Sequence, residues 1–209
     1  MPFIVLEGIE GSGKSTQCRR LADALGPDVV ATQEPGGTTI GRAIRGVLLD
    51  RANAAMRPET ELLLYFADRA QHVGEVVLPA LRAGRTVIAD RYVQSTRAYQ
   101  GFGRGVPLDT IDALWQIATG GLMPDLLVLI DVPVEVGLVR VRERGAANRL
   151  EVEAREFYER VLDGYHRMAA EEPARWLVVD GTAPSETVTR VVLEALHARG
   201  LTRGAHGVR

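Results

Sequence analysis

Lysine is all but missing from this 209-residue chain: 24 of its 25 basic residues are arginine, and the one lysine is Lys14. With few Asn, Cys and Met alongside, that bias fits either nucleotide composition or heat adaptation. Cysteine is just as scarce. A single Cys18 excludes an intrachain disulfide and any multi-cysteine metal site, and leaves buried packing as its expected role. No apolar run approaches the ~20 residues that cross a bilayer. The chain opens on Phe3-Ile4-Val5-Leu6 without a signal-peptide layout, so a cytoplasmic protein that does not engage membranes is expected. Positive charge is not in surplus either: the formal charge of -2 gives no bulk attraction to nucleic acid, which leaves small-molecule chemistry as the expected class. The four histidines, His72, His166, His197 and His206, share no motif and read as surface or packing residues.

What is present alternates. Short apolar, β-branched runs at 3–6, 29–32, 86–90, 126–131 and 176–180 read as five strands, with helical patterns between them. That alternation calls for a parallel sheet covered on both faces. Helices are expected at 38–50, 59–81, 106–119, 133–144, 151–170 and 185–199, with Pro79 kinking or ending the second of these. The length fits one domain over residues 1–201. Beyond Leu201 the tail has no apolar face and is expected to fray.

Between the first strand and the first helix, Gly8-Ile9-Glu10-Gly11-Ser12-Gly13-Lys14-Ser15 fits G-x-x-x-x-G-K-[ST], with Thr16 next in the helix. In this motif backbone N–H groups and a helix N-terminus turn toward phosphates, lysine reaches the β/γ oxygens, and the serine hydroxyl ligates Mg²⁺. ATP and Mg²⁺ are therefore the expected ligands. Lys14 being the only lysine excludes the N-K-x-D segment that reads guanine, and with it a GTPase. The third strand ends in Asp90-Arg91, which suggests a magnesium-side carboxylate beside a phosphate-binding guanidinium. These residues alone lead to a nucleoside or nucleotide kinase, the acceptor left open.

Three further segments narrow the choice: Glu34-Pro35-Gly36-Gly37-Thr38, then Asp90-Arg91-Tyr92 with Ser95, then Ala98-Tyr99-Gln100-Gly101. Together with Arg149-Leu150-Glu151 they resemble the thymidylate kinase family over nearly the whole chain to Leu201. The resemblance implies an α/β, P-loop NTPase-type fold: a five-stranded parallel sheet in the order 2-3-1-4-5, flanked by helices on both faces. It implies transfer of the γ-phosphoryl group of ATP to dTMP in dTTP biosynthesis, by a homodimer. Tyr65 and Arg69 are four apart and so on one helical face; Tyr65 would stack on thymine, and Arg69 would contact the base edge or the phosphate. Arg45 and Arg91 would hold the monophosphate; Thr96, Tyr99 and Gln100 would surround base and deoxyribose, with Tyr99 excluding a 2'-hydroxyl. Glu10 would face the acceptor sugar and magnesium waters.

Arg140, Arg142, Arg144 and Arg149 surround Gly145-Ala146-Ala147, and a lid over about 141–150 is expected there. Gly11 stands where another subtype of the family has arginine, so the lid must supply the transition-state charge; Arg149 and Arg142 are the named candidates beside Lys14, Arg91 and Glu10. Two positions depart from the family pattern: Gln33 where arginine is common, and Asn148 where aspartate is. Two alternatives stay open, a same-fold kinase for another acceptor and a catalytically silent nucleotide-binding regulator.

Overall fold

The computed structural model describes residues 1–145, 148–151 and 153–202. The part of the expected lid at Ala146 and Ala147 and the expected fraying of 203–209 lie outside the described residues. Strands β1 (Phe3–Glu7), β2 (Val29–Gln33), β3 (Thr86–Asp90), β4 (Leu126–Asp131) and β5 (Trp176–Asp180) pair in parallel in the order β2-β3-β1-β4-β5. The alternating strand period sorts the core onto two faces. Phe3, Val5, Val87, Ala89, Leu127 and Leu129 point to one face; Ile4, Leu6, Ile88, Leu126, Val128 and Ile130 point to the other. Each fully buried side chain of this size stabilises the fold by roughly 1.5–3 kcal/mol.

Helix α1 (Lys14–Leu25) and the last helix, α9 (Ser185–Ala198), cover the second face through Cys18, Leu21, Val188, Val192 and Leu196. Cys18 is buried there, as its expected packing role requires. The first face is covered by α3 (Pro58–His72), α6 (Leu108–Thr119) and α8 (Arg155–Glu171). Helix α2 (Thr39–Leu49) packs on α3 and is started by Thr38, whose hydroxyl accepts from Gly41 N at 2.9 Å.

Three element boundaries differ from the sequence reading. The stretch expected as one helix at 59–81 is α3, a π-turn over Val73–Val77, and α4 (Leu78–Arg82). Leu78 N bonds back to Val73 O, widening the turn where Pro79 has no N–H to give and would crowd the preceding carbonyls. Next, α8 starts at Arg155 rather than Glu151. Asn148 Oδ1 accepts from the N–H groups of Leu150 and Glu151 at 2.9 and 3.1 Å, a side-chain turn that competes with helix. Finally, α5 (Val93–Thr96) runs into a π-turn over Arg97–Gly103, an element with no clear helical pattern in the sequence. The remaining long helix, α7 (Val134–Arg144), follows β4 as expected.

The site is placed by register. Leu6 lies beside Asp90 across β1 and β3, and Arg91 N donates to Leu6 O at 3.0 Å, so the loops after these two strands leave the sheet side by side. The strand order reverses direction at β1, where an open parallel sheet forms its crevice.

Candidate active site

A cavity of about 410 Å³ opens at these strand ends. One end is the glycine loop after β1. Gly11 has φ 73°, and a Cβ added there would come within 2.2 Å of Gly137 O in α7; a Cβ on Gly137 would in turn meet Glu10 O at 2.6 Å. The loop therefore lies directly on α7, and a side chain at either position would part them. Lys14 Nζ donates to Gly8 O at 2.9 Å, Ile9 O at 2.8 Å and Ser12 Oγ at 3.2 Å. Burial, reinforced by the nearby charge of Arg91, pushes the Lys14 ammonium down to about 8. Ser15 Oγ donates to Asp90 Oδ2. This pair of hard oxygens fits Mg²⁺, which keeps several waters and phosphate oxygens as ligands. Among the described residues no cluster of three or more His, Cys, Asp or Glu offers an all-protein metal cage.

Arg91 links the two ends. Its φ of 77° is left-handed, a conformation that costs a non-glycine residue about 1–2 kcal/mol. The guanidinium donates to Glu10 Oε1 at 2.7 Å, Ser95 Oγ at 3.0 Å, Gly8 O at 3.3 Å and Tyr99 OH at 3.3 Å. Tyr99 donates its own proton to Glu10 Oε2. Beneath them lies Glu7, fully buried. Its carboxylate accepts from Ser95 Oγ at 2.6 Å, Tyr165 OH at 2.9 Å, and the N–H groups of Tyr92 at 3.0 Å and Ser95 at 3.3 Å. It thereby satisfies backbone donors at the start of α5 and fixes the turn that Arg91 begins. Burial raises the Glu7 carboxyl above its ordinary range, although these bonds and the Arg91 charge oppose the rise.

The other end is built on α2, α3 and the π-turn, and Arg45, Tyr65, Arg69, Thr96, Tyr99 and Gln100 all line it. Arg45 donates to Pro35 O at 2.8 Å. Arg69 is 1% exposed and donates to Glu34 Oε2 at 2.7 Å, Thr96 Oγ1 at 3.0 Å and Tyr92 O at 3.0 Å. His72 completes this network: its ring bonds Glu34 Oε1 at 2.8 Å and Thr32 Oγ1 at 2.7 Å, a buried polar tie rather than simple filler. Burial alone would raise the Glu34 carboxyl, but the charges and hydrogen bonds of Arg69 and His72 hold it below its ordinary range.

The arginines expected in a lid divide into two pairs. Arg140 and Arg144 line the cavity; Arg140 donates to Gly11 O at 3.3 Å and Gly181 O at 3.1 Å, and Arg144 pairs with Glu151. Arg142 is exposed on α7 and does not line the cavity. Arg149 is buried outside the cavity, where it donates to Leu48 O at 2.8 Å and pairs with Glu61. The backbone N–H and side-chain carbonyl of Asn148 make the turn that receives Glu151. Gln33 lines the cavity beside Glu34 and Pro35.

Sequence reasoning assigns no role to Glu7, Glu34 or Glu61, three buried carboxylates, although Glu34 stands in a segment that carries the family resemblance. A signal exists for each of the other two. Glu7 is an acid closing an apolar strand, and Glu61 continues the four-residue spacing of Tyr65 and Arg69. Chemically, the cavity offers backbone N–H groups, Lys14 and arginines to a run of phosphates at one end, and an aromatic and an amide to a flat heterocycle at the other.

The family model described as thymidylate kinase matches residues 6–192. The chain is 48% identical over 206 residues to a protein named thymidylate kinase from Trichlorobacter lovleyi, covering 94% of this chain and 97% of that one. It is 49% identical over 185 residues to another so named from Pseudomonas fluorescens, covering 87% and 88%. The crystal structure of a thymidylate kinase from Ehrlichia chaffeensis superposes with a TM-score of 0.76 at 33% identity, over 93% of this chain and 98% of that one. With the cavity, the strand order and these likenesses in agreement, the chain belongs to the thymidylate kinase family.

Proposed function

We propose that this chain transfers the γ-phosphoryl group of ATP to dTMP, giving ADP and dTDP. One observation carries the reading: Lys14, Ser15 and Asp90 line the same cavity as Tyr65, Arg69 and Gln100, so a polyphosphate and a nucleoside monophosphate share one chamber. The loop from Gly8 to Thr16 binds the donor phosphates, and Lys14 neutralises the transferring group. Ser15 and Asp90 would hold Mg²⁺, which when bound neutralises charge on the β- and γ-phosphate oxygens. Arg45 and Arg91 hold the acceptor phosphate in line, with Glu10 and Tyr99 orienting Arg91 and meeting the deoxyribose. Tyr65 stacks on the base. The attacking phosphate oxygen is already anionic at pH 7, so no general base is required. We assign the lid charge to Arg140 and Arg144, which line the cavity, in place of Arg142 and Arg149; Arg149 fastens the lid segment to α2 and α3.

Residues 1–201 act as one kinase domain in this reading, and two copies associate. The exposed apolar side chains Ile40 and Val47 on α2, Leu63 on α3 and Ile117 on α6 supply a face for a second copy. The reaction is placed in the cytoplasm with its substrates. Coupled ADP release with ATP and Mg²⁺ against dTMP, dUMP, dCMP, dGMP, AMP and thymidine tests the proposal: dTMP is expected to be turned over preferentially, and preference for any other acceptor overturns it.

A further inference from the structure

Glu61 lies one helical turn before Tyr65 on α3, on the face that Tyr65 and Arg69 share, and its side chain is 1% exposed. Its two oxygens receive three residues from two other segments. Oε1 accepts from Gln100 Nε2 at 2.6 Å and Arg104 Nε at 2.7 Å; Oε2 accepts from Arg104 NH2 at 3.1 Å and from Arg149. Arg104 in turn donates to Glu153 at 2.8 Å. Burial alone would raise the Glu61 carboxyl, but hydrogen bonds from Arg104, Gln100 and Arg149 and the charge of Arg104 hold it below its ordinary range. The group is thus a carboxylate with oxygens that only accept.

A carboxylate selects between the two ends of a neighbouring amide. It takes the NH₂ end of Gln100 and repels the carbonyl, so the carbonyl oxygen is the end left for the cavity that Gln100 lines. Beside the Tyr65 ring, that oxygen calls for a donor on the edge of a flat base. Thymine and uracil carry a hydrogen on N3; cytosine presents a lone pair there, which would face the amide oxygen with no proton between them.

We infer that Glu61 is a positioning residue that sets acceptor-base selectivity by fixing the Gln100 amide with its carbonyl toward the base. The inference rests on the dTMP reading above. It leaves dUMP on the side of dTMP, since both carry the same imide hydrogen.

Two measurements test it. In Glu61→Gln the new amide can donate to the Gln100 carbonyl, freeing Gln100 to turn its NH₂ to the cavity. The ratio of kcat/KM for dTMP over dCMP is then expected to fall by roughly 10- to 100-fold, with dUMP following dTMP. A merely structural weakening would lower both acceptors by one factor, and a folded variant with an unchanged ratio overturns the inference. If Glu61→Gln does not fold, side-chain amide exchange in the ¹⁵N-labelled wild type decides. One Gln100 Nε2 proton is expected to exchange far more slowly than those of exposed glutamines, and fast, equal exchange of both overturns the inference. A wild-type protein that ignores dTMP would sink the proposed function instead, while the exchange result would still report on Glu61 and Gln100.

Discussion

Arg91 donates to Glu10 Oε1 at 2.7 Å, so the first residue after β3 is tied to the second residue after the glycine that opens the phosphate loop. The pair is partly buried, with side chains 16% and 12% exposed. Arg91 also donates to Ser95, Tyr99 and Gly8, a set of acceptors that suits a multi-donor fork and not a point charge. Arg91→Lys should therefore lower kcat/KM for dTMP by about 10²- to 10³-fold, the usual cost of one well-placed charge donor. Steady-state kinetics check this; a loss under fivefold would show that Arg91 braces the loop without touching the acceptor.

Lys14 should cost the fold what it gives the reaction. Its pKa is lowered from 10.5 to about 8, so below pH 8 the charged, buried ammonium destabilises the native state. That cost is relieved as pH rises from about 8 toward 10.5, where the unfolded chain still holds the proton. Lys14→Met is expected to raise stability at pH 7 by roughly 1–3 kcal/mol while removing at least ~10²-fold of kcat. Thermal unfolding at pH 7 and 10 and turnover of the same variant test both halves. In the wild type, kcat/KM for ATP should fall as pH passes about 8, since that ratio reports the free enzyme.

Asp68 predicts a second pH effect. One of its oxygens accepts from Gly36 N at 2.9 Å; the other, Oδ2, is buried without a hydrogen-bond partner among the described residues. Burial raises its pKa from 3.8 to about 6. The native state holds the Asp68 proton more tightly than the unfolded chain does, so this contribution to stability is present below about pH 4 and is lost as pH rises through 6. The stability of Asp68→Asn minus that of wild type should therefore increase between pH 4 and 7, by on the order of 2–3 kcal/mol. Denaturant unfolding at several pH values would reveal it, and a flat difference would disprove it.

The close approach of the phosphate loop to α7 makes Gly137 a sensitive position. A methyl group there meets Glu10 O at 2.6 Å and Ile9 Cδ1 at 3.0 Å, and the closer of the two is backbone, which cannot turn aside as a side chain can. Gly137→Ala is expected to raise KM for ATP at least ~10-fold through a displaced loop, with KM for dTMP much less affected. Equal effects on both substrates would count against this account.

The face made by α2, α3 and α6 carries the association prediction. In the proposed reading the wild type sediments as a dimer, and a charge at the most exposed apolar residue of this face, as Ile117→Glu, should shift it to monomer in analytical ultracentrifugation. A variant that sediments as the wild type does would place the interface elsewhere.

The sequence by itself determined the alternating α/β pattern and the phosphate loop, which are local: strand period, glycine spacing and helical repeat are written along the chain. The family resemblance, not a local pattern, pointed to Arg45, Tyr65, Arg69, Thr96, Tyr99 and Gln100, which the fold brings to one cavity with Arg91. Tertiary structure decided what the arginines do. Arg144 and Arg149 both belong to the basic cluster around Gly145, yet Glu61, 88 residues from Arg149, draws Arg149 into the protein, while Glu151 receives Arg144 at the cavity wall. The same holds for Glu7 and Glu34, whose partners come from α3, α8 and the start of α5. A buried charge must find a counter-charge or donors wherever the fold places them, and sequence spacing does not encode that distance.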